Sequence, residues 1–310
     1  MRKIAILGAT GHIAKSLINN FNKSDEYYLY LFARSTEKLD NFLKIINYDE
    51  RIKKIELNDF TNEKYAAIIN CIGIGDPKKL KDAGPDIFRL TEHYDNFILD
   101  YLKDNNGCIY INFSSGAAYG VDFTIPVEDK KCFEIDINNI CSEDNYGIVK
   151  LYSEAKHRSC SHFNIVDLRV FAFFSRYIDL NSKYFISELI SCIKTKKEFL
   201  TNTINIARDY VHPNDLFNLI DIIINIRKIN DAFDVYSLKP ITKFEILDYF
   251  TENYGLIYKI ESGIFGENST GIKDNYFSNN QKARNIGYVP KYSSKDCIIG
   301  ETKEILKNIY

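Results

Sequence analysis

An aliphatic run, Lys3-Ile4-Ala5-Ile6-Leu7, passes directly into Gly8-Ala9-Thr10-Gly11-His12-Ile13-Ala14, and a helical pattern from Ile13 to Phe21 follows. No other feature limits the fold so tightly. Gly8 permits a tight turn, Gly11 lets the backbone approach a pyrophosphate, and Ala14 lets the helix pack closely on the strand. A helix starting there aims its free N–H groups and the positive end of its dipole at the turn, which suits bound phosphate. One glycine-rich turn is weak evidence alone. At the first strand-to-helix junction it stands in the context a dinucleotide-binding motif demands.

The first two-thirds of the chain keep that alternation. Strands are predicted at Lys3 to Leu7, Tyr28 to Phe32, Ile55 to Leu57, Ala67 to Ile72, Cys108 to Phe113 and Ile165 to Val170. Helical periods fall between them, including Ile87 to Lys103 and Tyr146 to Cys160. This order predicts an α/β fold, a Rossmann-type doubly wound parallel sheet with a smaller, mostly helical C-terminal substrate lobe. The nucleotide-binding domain is placed at residues 1–170 with a returning segment at about 209–242, and the lobe at 171–208 and 243–310. A last helix is expected at about Lys295 to Asn308.

Composition removes several classes. With 310 residues, 45% of them apolar, the chain can bury a large core without disulfides. Its net charge is -2, with no basic tract, so nucleic acid is a poor partner. None of the seven cysteines forms a Cys-x-x-Cys pair, and the five histidines lack ligand spacing, so no metal site is expected. The N-terminal apolar run is too short for a secretory signal, and no stretch reaches the ~18 to 20 apolar residues of a membrane span. A cytoplasmic protein without a membrane partner is expected.

The second strand ends in Ala33-Arg34-Ser35. NAD sites place an acidic residue here to hold the ribose hydroxyls. Arg34 offers instead a guanidinium for a 2′-phosphate, and Ser35 a hydroxyl, so NADP(H) is favoured over NAD(H). Asp59 and Phe60 after the third strand suit an adenine rim, and Asn70, Cys71 and Ile72 a close backbone approach. With Gly8, Thr10, Gly11, His12, Ile13 and, further along, Lys150 they complete the candidate cofactor set.

The fifth strand runs into Ser114-Ser115-Gly116-Ala117-Ala118-Tyr119-Gly120, and Tyr146-Gly147-Ile148-Val149-Lys150 follows 31 residues after Ser115. Residues four apart share a helix face, so Tyr146 and Lys150 address one cleft. A free tyrosine titrates near pH ~10 and is a poor acid at neutrality, whereas a neighbouring ammonium favours the phenolate. Ser115 can hold a substrate oxygen beside the phenol while Tyr146 exchanges its proton. Among 22 tyrosines such a pair arises easily by chance; the order of turn, strand-end serine and Tyr/Lys pair is what singles this one out.

These motifs resemble the extended short-chain dehydrogenase/reductase family of nucleotide-sugar epimerases, dehydratases and reductases. Arg208-Asp209-Tyr210-Val211-His212 is similar to that family's Arg-Asp-Phe-Val-His segment, and Ile286-Gly287-Tyr288-Val289-Pro290 to its closing Leu-Gly-Trp-x-Pro pattern. The resemblance implies a nucleotide-sugar substrate, with Arg208 near the diphosphate, the sugar facing Ser115, Gly116 and Tyr146, and a homodimer built on the Tyr/Lys helix. Two departures matter. Family dehydratases carry an Asp-Glu pair where this chain has Gly116 and Ala117, which cannot move protons. The family's Asn-x-Tyr-Gly-Pro is replaced by Ala172-Phe173-Phe174-Ser175-Arg176, which makes Arg176 a candidate substitute in substrate binding. With Arg34 in place of an acid, the expectation is an NADPH-dependent 4-keto sugar-nucleotide reductase. The alternatives are a 4-epimerase recycling bound NAD(P) and a non-catalytic NADP(H)-binding sensor or scaffold.

Overall fold

The computed structural model describes residues 1–129, 131–261 and 273–307. Seven strands form one sheet: β1 (Arg2–Leu7), β2 (Tyr27–Phe32), β3 (Ile52–Lys54), β4 (Ala67–Asn70), β5 (Ile109–Ser115), β6 (Asn164–Val170) and β7 (Asn230–Val235). All neighbours pair in parallel, in the order β7-β6-β5-β4-β1-β2-β3. The order reverses between β1 and β4, and in such sheets ligands lie in the crevice at the carboxyl ends of those strands.

Side chains alternate across the sheet with period two. Ile4, Ile6, Leu29, Leu31, Ile69 and Ile111 point to one apolar cluster. That face is covered by α1 (His12–Phe21), α2 (Thr36–Ile46) and, from late in the chain, α7 (Pro213–Ile224). Ala5, Leu7, Tyr30, Phe32, Ile68 and Tyr110 point the opposite way, against Phe60, Tyr65 and α4 (Asp86–Asp104), which follows the short α3 (Pro77–Ala83). Helix α5 (Asp144–Ser159) packs on α4 and on the turn after β5. Lys156, His157 and Arg158 fill its last turn, where positive charge suits the dipole.

A third cluster joins Phe174 with α6 (Phe185–Thr195), α8 (Lys243–Tyr254) and α9 (Ser294–Leu306). Capping boxes at Thr242/Glu245 and Ser293/Asp296 set the starts of α8 and α9. This lobe is tied to the sheet domain by Ser16 Oγ donating to Ser175 Oγ at 2.8 Å.

Several boundaries shift by one or two residues from the sequence expectation, and the third strand shifts most. The third strand lies at Ile52–Lys54, and the segment expected to form it enters a 3-10 turn at Leu57 instead. Helix α9 ends at Leu306, and the expected terminus at Asn308 lies outside the described residues. Among the described residues, no helix is long and apolar enough to cross a membrane, and no group of three or more His, Cys, Asp or Glu is placed to hold a metal.

Candidate active site

Gly8 ends β1 with φ +73°, and a Cβ there would stand 3.0 Å from the Cys71 carbonyl and the Ile72 nitrogen. Any side chain would therefore prise β1 from β4 just where the crevice opens. Asn70 fixes the facing turn: its Oδ1 accepts from Ile72 N at 3.0 Å, and its Nδ2 donates to Tyr110 Oη at 3.1 Å. Gly11 caps α1 without a side-chain hydrogen bond, and the first turn holds no acid. The leading N–H groups of α1 are thus left for an anion, and the cradle fits a dinucleotide pyrophosphate.

The other cofactor candidates separate by position. Thr10 and Ile13 are half-buried in the turn. His12 packs its ring 5.0 Å from that of Phe173; burial pushes the imidazole down to about 4, and its Nε2 has no hydrogen-bond partner among the described residues. Arg34 is exposed at the end of β2 and makes no hydrogen bond or ion pair among the described residues. Ser35 caps α2, accepting from Lys38 N at 3.3 Å, which leaves its own proton to donate. The Lys15 ammonium is lowered chiefly by burial, with Asp179 opposing the shift and Lys38 adding to it. Asp59 is exposed and accepts from Asn62. Phe60 is fully buried among Phe32, Tyr65, Phe97 and Tyr101, so its side chain serves the core and not a ligand, contrary to expectation. Burial raises the Cys71 thiol, which keeps it protonated.

β5 carries Ser115 to the crevice, and α5 brings Tyr146 and Lys150 alongside. Gly147 makes this approach possible, because a Cβ there would lie 2.6 Å from the Ala117 carbonyl. Lys150 is buried, donates to the Phe113 carbonyl at 2.7 Å, and holds its ammonium 5.7 Å from the centre of the Tyr146 ring. Tyr146 is half-exposed. One turn further, Glu154 accepts from Ser114 Oγ at 2.5 Å and from Arg169 Nε at 2.9 Å. Arg169 also reaches Tyr119 Oη at 2.5 Å. This buried ladder fixes α5 against β5 and β6, and so fixes the Tyr/Lys pair relative to the serine.

Gly116 is small for a steric reason: a Cβ on it would stand 2.4 Å from the Phe171 ring. Arg208 has no carboxylate partner among the described residues. Its neighbour Asp209 instead accepts from Ser237 N and Ser294 Oγ, while Arg208 donates to the carbonyls of Ala207 and Lys273. Burial pushes the Arg208 guanidinium down, and burial with Arg208 nearby pushes Lys273 down to about 7. Asp274 is near enough to act on Arg208 without pairing with it, and the planar guanidinium fork suits phosphate oxygens.

Arg176 corrects an expectation. Its guanidinium pairs with Glu301 at 2.7 Å and Glu304 at 2.9 Å, and its backbone N–H also donates to Glu301. It clamps α9 and is spent as a substrate ligand. Two residues that sequence reasoning missed face the site. Tyr276 lies 3.0 Å from Ser115 Oγ, and Tyr184 reaches across from α6 to within electrostatic range of Tyr146. Neither has a local signature, because only the pairing of distant segments brings them here.

The fold and this Ser115–Tyr146–Lys150 arrangement define an extended short-chain dehydrogenase/reductase. The chain belongs to the NAD dependent epimerase/dehydratase family, whose model matches residues 4–237. No curated protein matches the sequence. Solved structures give the same fold. The UDP-N-acetylglucosamine 4-epimerase from Methanobrevibacter ruminantium M1, in complex with UDP-N-acetylmuramic acid, superposes with a TM-score of 0.80 at 16% identity over 99% of this chain and 97% of that one. The dTDP-glucose 4,6-dehydratase from Bacillus anthracis, in complex with NAD, gives 0.80 at 13% over 100% and 98%. The UDP-glucose 4-epimerase from Bifidobacterium longum, with NAD+ and UDP, gives 0.77 at 16% over 99% and 98%.

Proposed function

We propose that this protein is an NADP(H)-dependent oxidoreductase that reduces a 4-keto sugar nucleotide. The observation that carries the reading is the unpaired Arg34 at the end of β2, where an NAD site would hold an acid. Gly8, Thr10, Gly11, His12 and Ile13 line the pyrophosphate cradle, Arg34 and Ser35 receive the 2′-phosphate, and Asp59, Asn70, Cys71 and Ile72 border the rest. The diphosphate of the sugar nucleotide rests on Arg208, and the sugar lies along Ser115 and Gly116. The UDP-N-acetylmuramic acid bound by the Methanobrevibacter ruminantium epimerase and the UDP bound by the Bifidobacterium longum epimerase support this substrate class.

When bound, the nicotinamide supplies the hydride that the carbonyl carbon takes up. Ser115 donates to the carbonyl oxygen and orients it. Tyr146 gives its phenolic proton to that oxygen as negative charge develops there, so the ketone becomes a secondary alcohol and the phenol a phenolate. Lys150, anchored by the Phe113 carbonyl, holds its ammonium beside the phenolate until solvent returns the proton. Dehydration is disfavoured because neither Gly116 nor Ala117 can act as acid or base.

A second reading, 4-epimerisation with retained cofactor, is favoured by the NAD-containing neighbours. Turnover of NADPH and NADH with UDP-, dTDP-, CDP- and GDP-linked 4-keto-6-deoxyglucose separates the two. Stoichiometric NADPH oxidation supports the reductase; no oxidation of either cofactor on these ketones, with inversion at C4 of the matching nucleotide-linked glucose, overturns it. Tyr146→Phe should lower turnover by about 10²- to 10⁴-fold while leaving NADPH affinity unchanged. Full activity in that variant removes Tyr146 as proton donor.

A further inference from the structure

Ser115 is not alone with the substrate. Its Oγ lies 3.0 Å from Tyr276 Oη and accepts from Ala117 N at 3.2 Å. A serine hydroxyl has one proton and two acceptor positions. Tyr276 is 5% exposed; its hydroxyl meets Ser115 Oγ and the backbone of Ala117, whose N–H can only donate, so Ser115 is the acceptor at hand. A buried phenol needs an acceptor for its proton, so Tyr276 donates and Ser115 accepts. Both acceptor positions of Ser115 are then filled, and its own proton is the one bond left to make.

The seat of Tyr276 is built. Its strand, Asn275–Tyr276, pairs in parallel with Ala207–Arg208, putting Tyr276 opposite Arg208. Backbone bonds from Asn275 N to the Phe123 carbonyl and from Val127 N to the Phe277 carbonyl lace that segment to the loop after β5. The ring packs 4.6 Å from Phe123 and 5.2 Å from Phe171. Lys273 Nζ stands 4.3 Å from the ring centre. The aromatic packing holds the hydroxyl in place, and burial keeps it protonated.

We propose that Tyr276 is a positioning residue that fixes Ser115 as a one-way donor, so that the serine presents its proton to a substrate carbonyl before that substrate arrives. A Ser115 hydroxyl free to rotate would spend part of its time pointing its proton at protein carbonyls instead. With Tyr276 and Ala117 both donating to Oγ, the orientation is set in advance, which is where most of a donor's catalytic value lies. The proposal rests on the reading that Ser115 contacts the substrate oxygen.

A double-mutant cycle tests it, using NADPH and whichever 4-keto-6-deoxyglucose nucleotide of the panel is turned over. Tyr276→Phe keeps the ring and its packing and should lower kcat about tenfold, the effect of one buried hydrogen bond, with KM for the sugar nucleotide unchanged. In a Ser115→Ala background the same substitution should have no further effect on kcat. An equal fall in both backgrounds, or an effect confined to KM, overturns the proposal. Tyr276→Leu, which also removes the aromatic packing, separates loss of folding from loss of the bond: its melting temperature should fall while that of Tyr276→Phe stays near wild type. If Ser115→Ala alone retains wild-type turnover, the underlying reading of the serine fails and the proposal falls with it, an outcome distinct from additivity.

Discussion

The ring of Phe171 occupies the space that a side chain at Gly116 would need, 2.4 Å from the position of its Cβ. Phe171 is itself buried with Tyr119, Phe123, Val127 and Tyr276, so it cannot simply swing aside. An acid at this position is thus excluded by packing as well as by sequence. Gly116→Asp is predicted to destabilise the fold by roughly 1–3 kcal/mol through overpacking, measured as a fall in the urea midpoint. The Gly116→Asp, Ala117→Glu pair should gain no dehydratase activity. A double variant that is fully stable and dehydrates a nucleotide sugar contradicts this account of the site.

Arg34 sets the cofactor prediction. It is exposed at the end of β2, where the proposed NADP(H) reading puts a 2′-phosphate. Arg34→Glu removes charge-assisted bonds and adds repulsion, and is expected to raise KM for NADPH on the order of 10- to 100-fold while improving NADH. Steady-state kinetics with both cofactors decide it. An unchanged NADPH constant would place the 2′-phosphate elsewhere.

Arg176 yields the opposite expectation. Its guanidinium neutralises Glu301, whose side chain is 5% exposed. Arg176→Ala strands that carboxylate and should cost roughly 1–3 kcal/mol of stability, with no change in KM for the sugar nucleotide. Calorimetry and kinetics on the same preparation check both halves. Intact stability with a raised KM would return Arg176 to the substrate site.

His157 gives a pH dependence. It lies fully buried, with Nε2 2.6 Å from Asp95 and Nδ1 2.9 Å from Asp167. Lys156 also meets Asp95, Arg158 also meets Asp167, and Tyr110 donates to Asp95. Burial alone would lower the imidazole, but the hydrogen bonds and charges of Asp167 and Asp95 prevail and raise it to about 9. A histidine raised on folding stabilises most when both states are protonated, below its unfolded value near ~6.5. That stability is lost as pH climbs from there through about 9. The loss should be on the order of 2–3 kcal/mol, read from urea unfolding between pH 6 and 9.5. His157→Gln should be less stable at pH 6 and nearly flat across the window. A parallel slope in both proteins would rule His157 out as its source.

Much of this arrangement was legible in local pattern. Gly8 and Gly11 follow a strand and open a helix, and Tyr146 and Lys150 lie one helical turn apart, so short-range spacing alone places them. β3 was misplaced because it is a three-residue edge strand with only Ile52 buried, which leaves almost no period-two signal. The role of Arg176 was out of reach, since its carboxylate partner Glu301 lies 125 residues away. Tyr276 was missed for the same reason: 161 residues separate it from Ser115, and only the pairing of its strand with Ala207–Arg208 brings the two hydroxyls together. Local spacing names the atoms that do chemistry. Long-range packing decides how they are aimed.

Hydride delivery to the sugar is the central claim, and isotope transfer tests it most directly. Incubation with NADPH deuterated at the transferable position of the nicotinamide and a 4-keto-6-deoxy sugar nucleotide should give a product carrying one deuterium at C4, with one equivalent of NADP+ formed. A 4-keto sugar left unreduced with no NADP+ formed, beside inversion at C4 of the matching 4-hydroxy nucleotide sugar without net cofactor oxidation, would contradict the account.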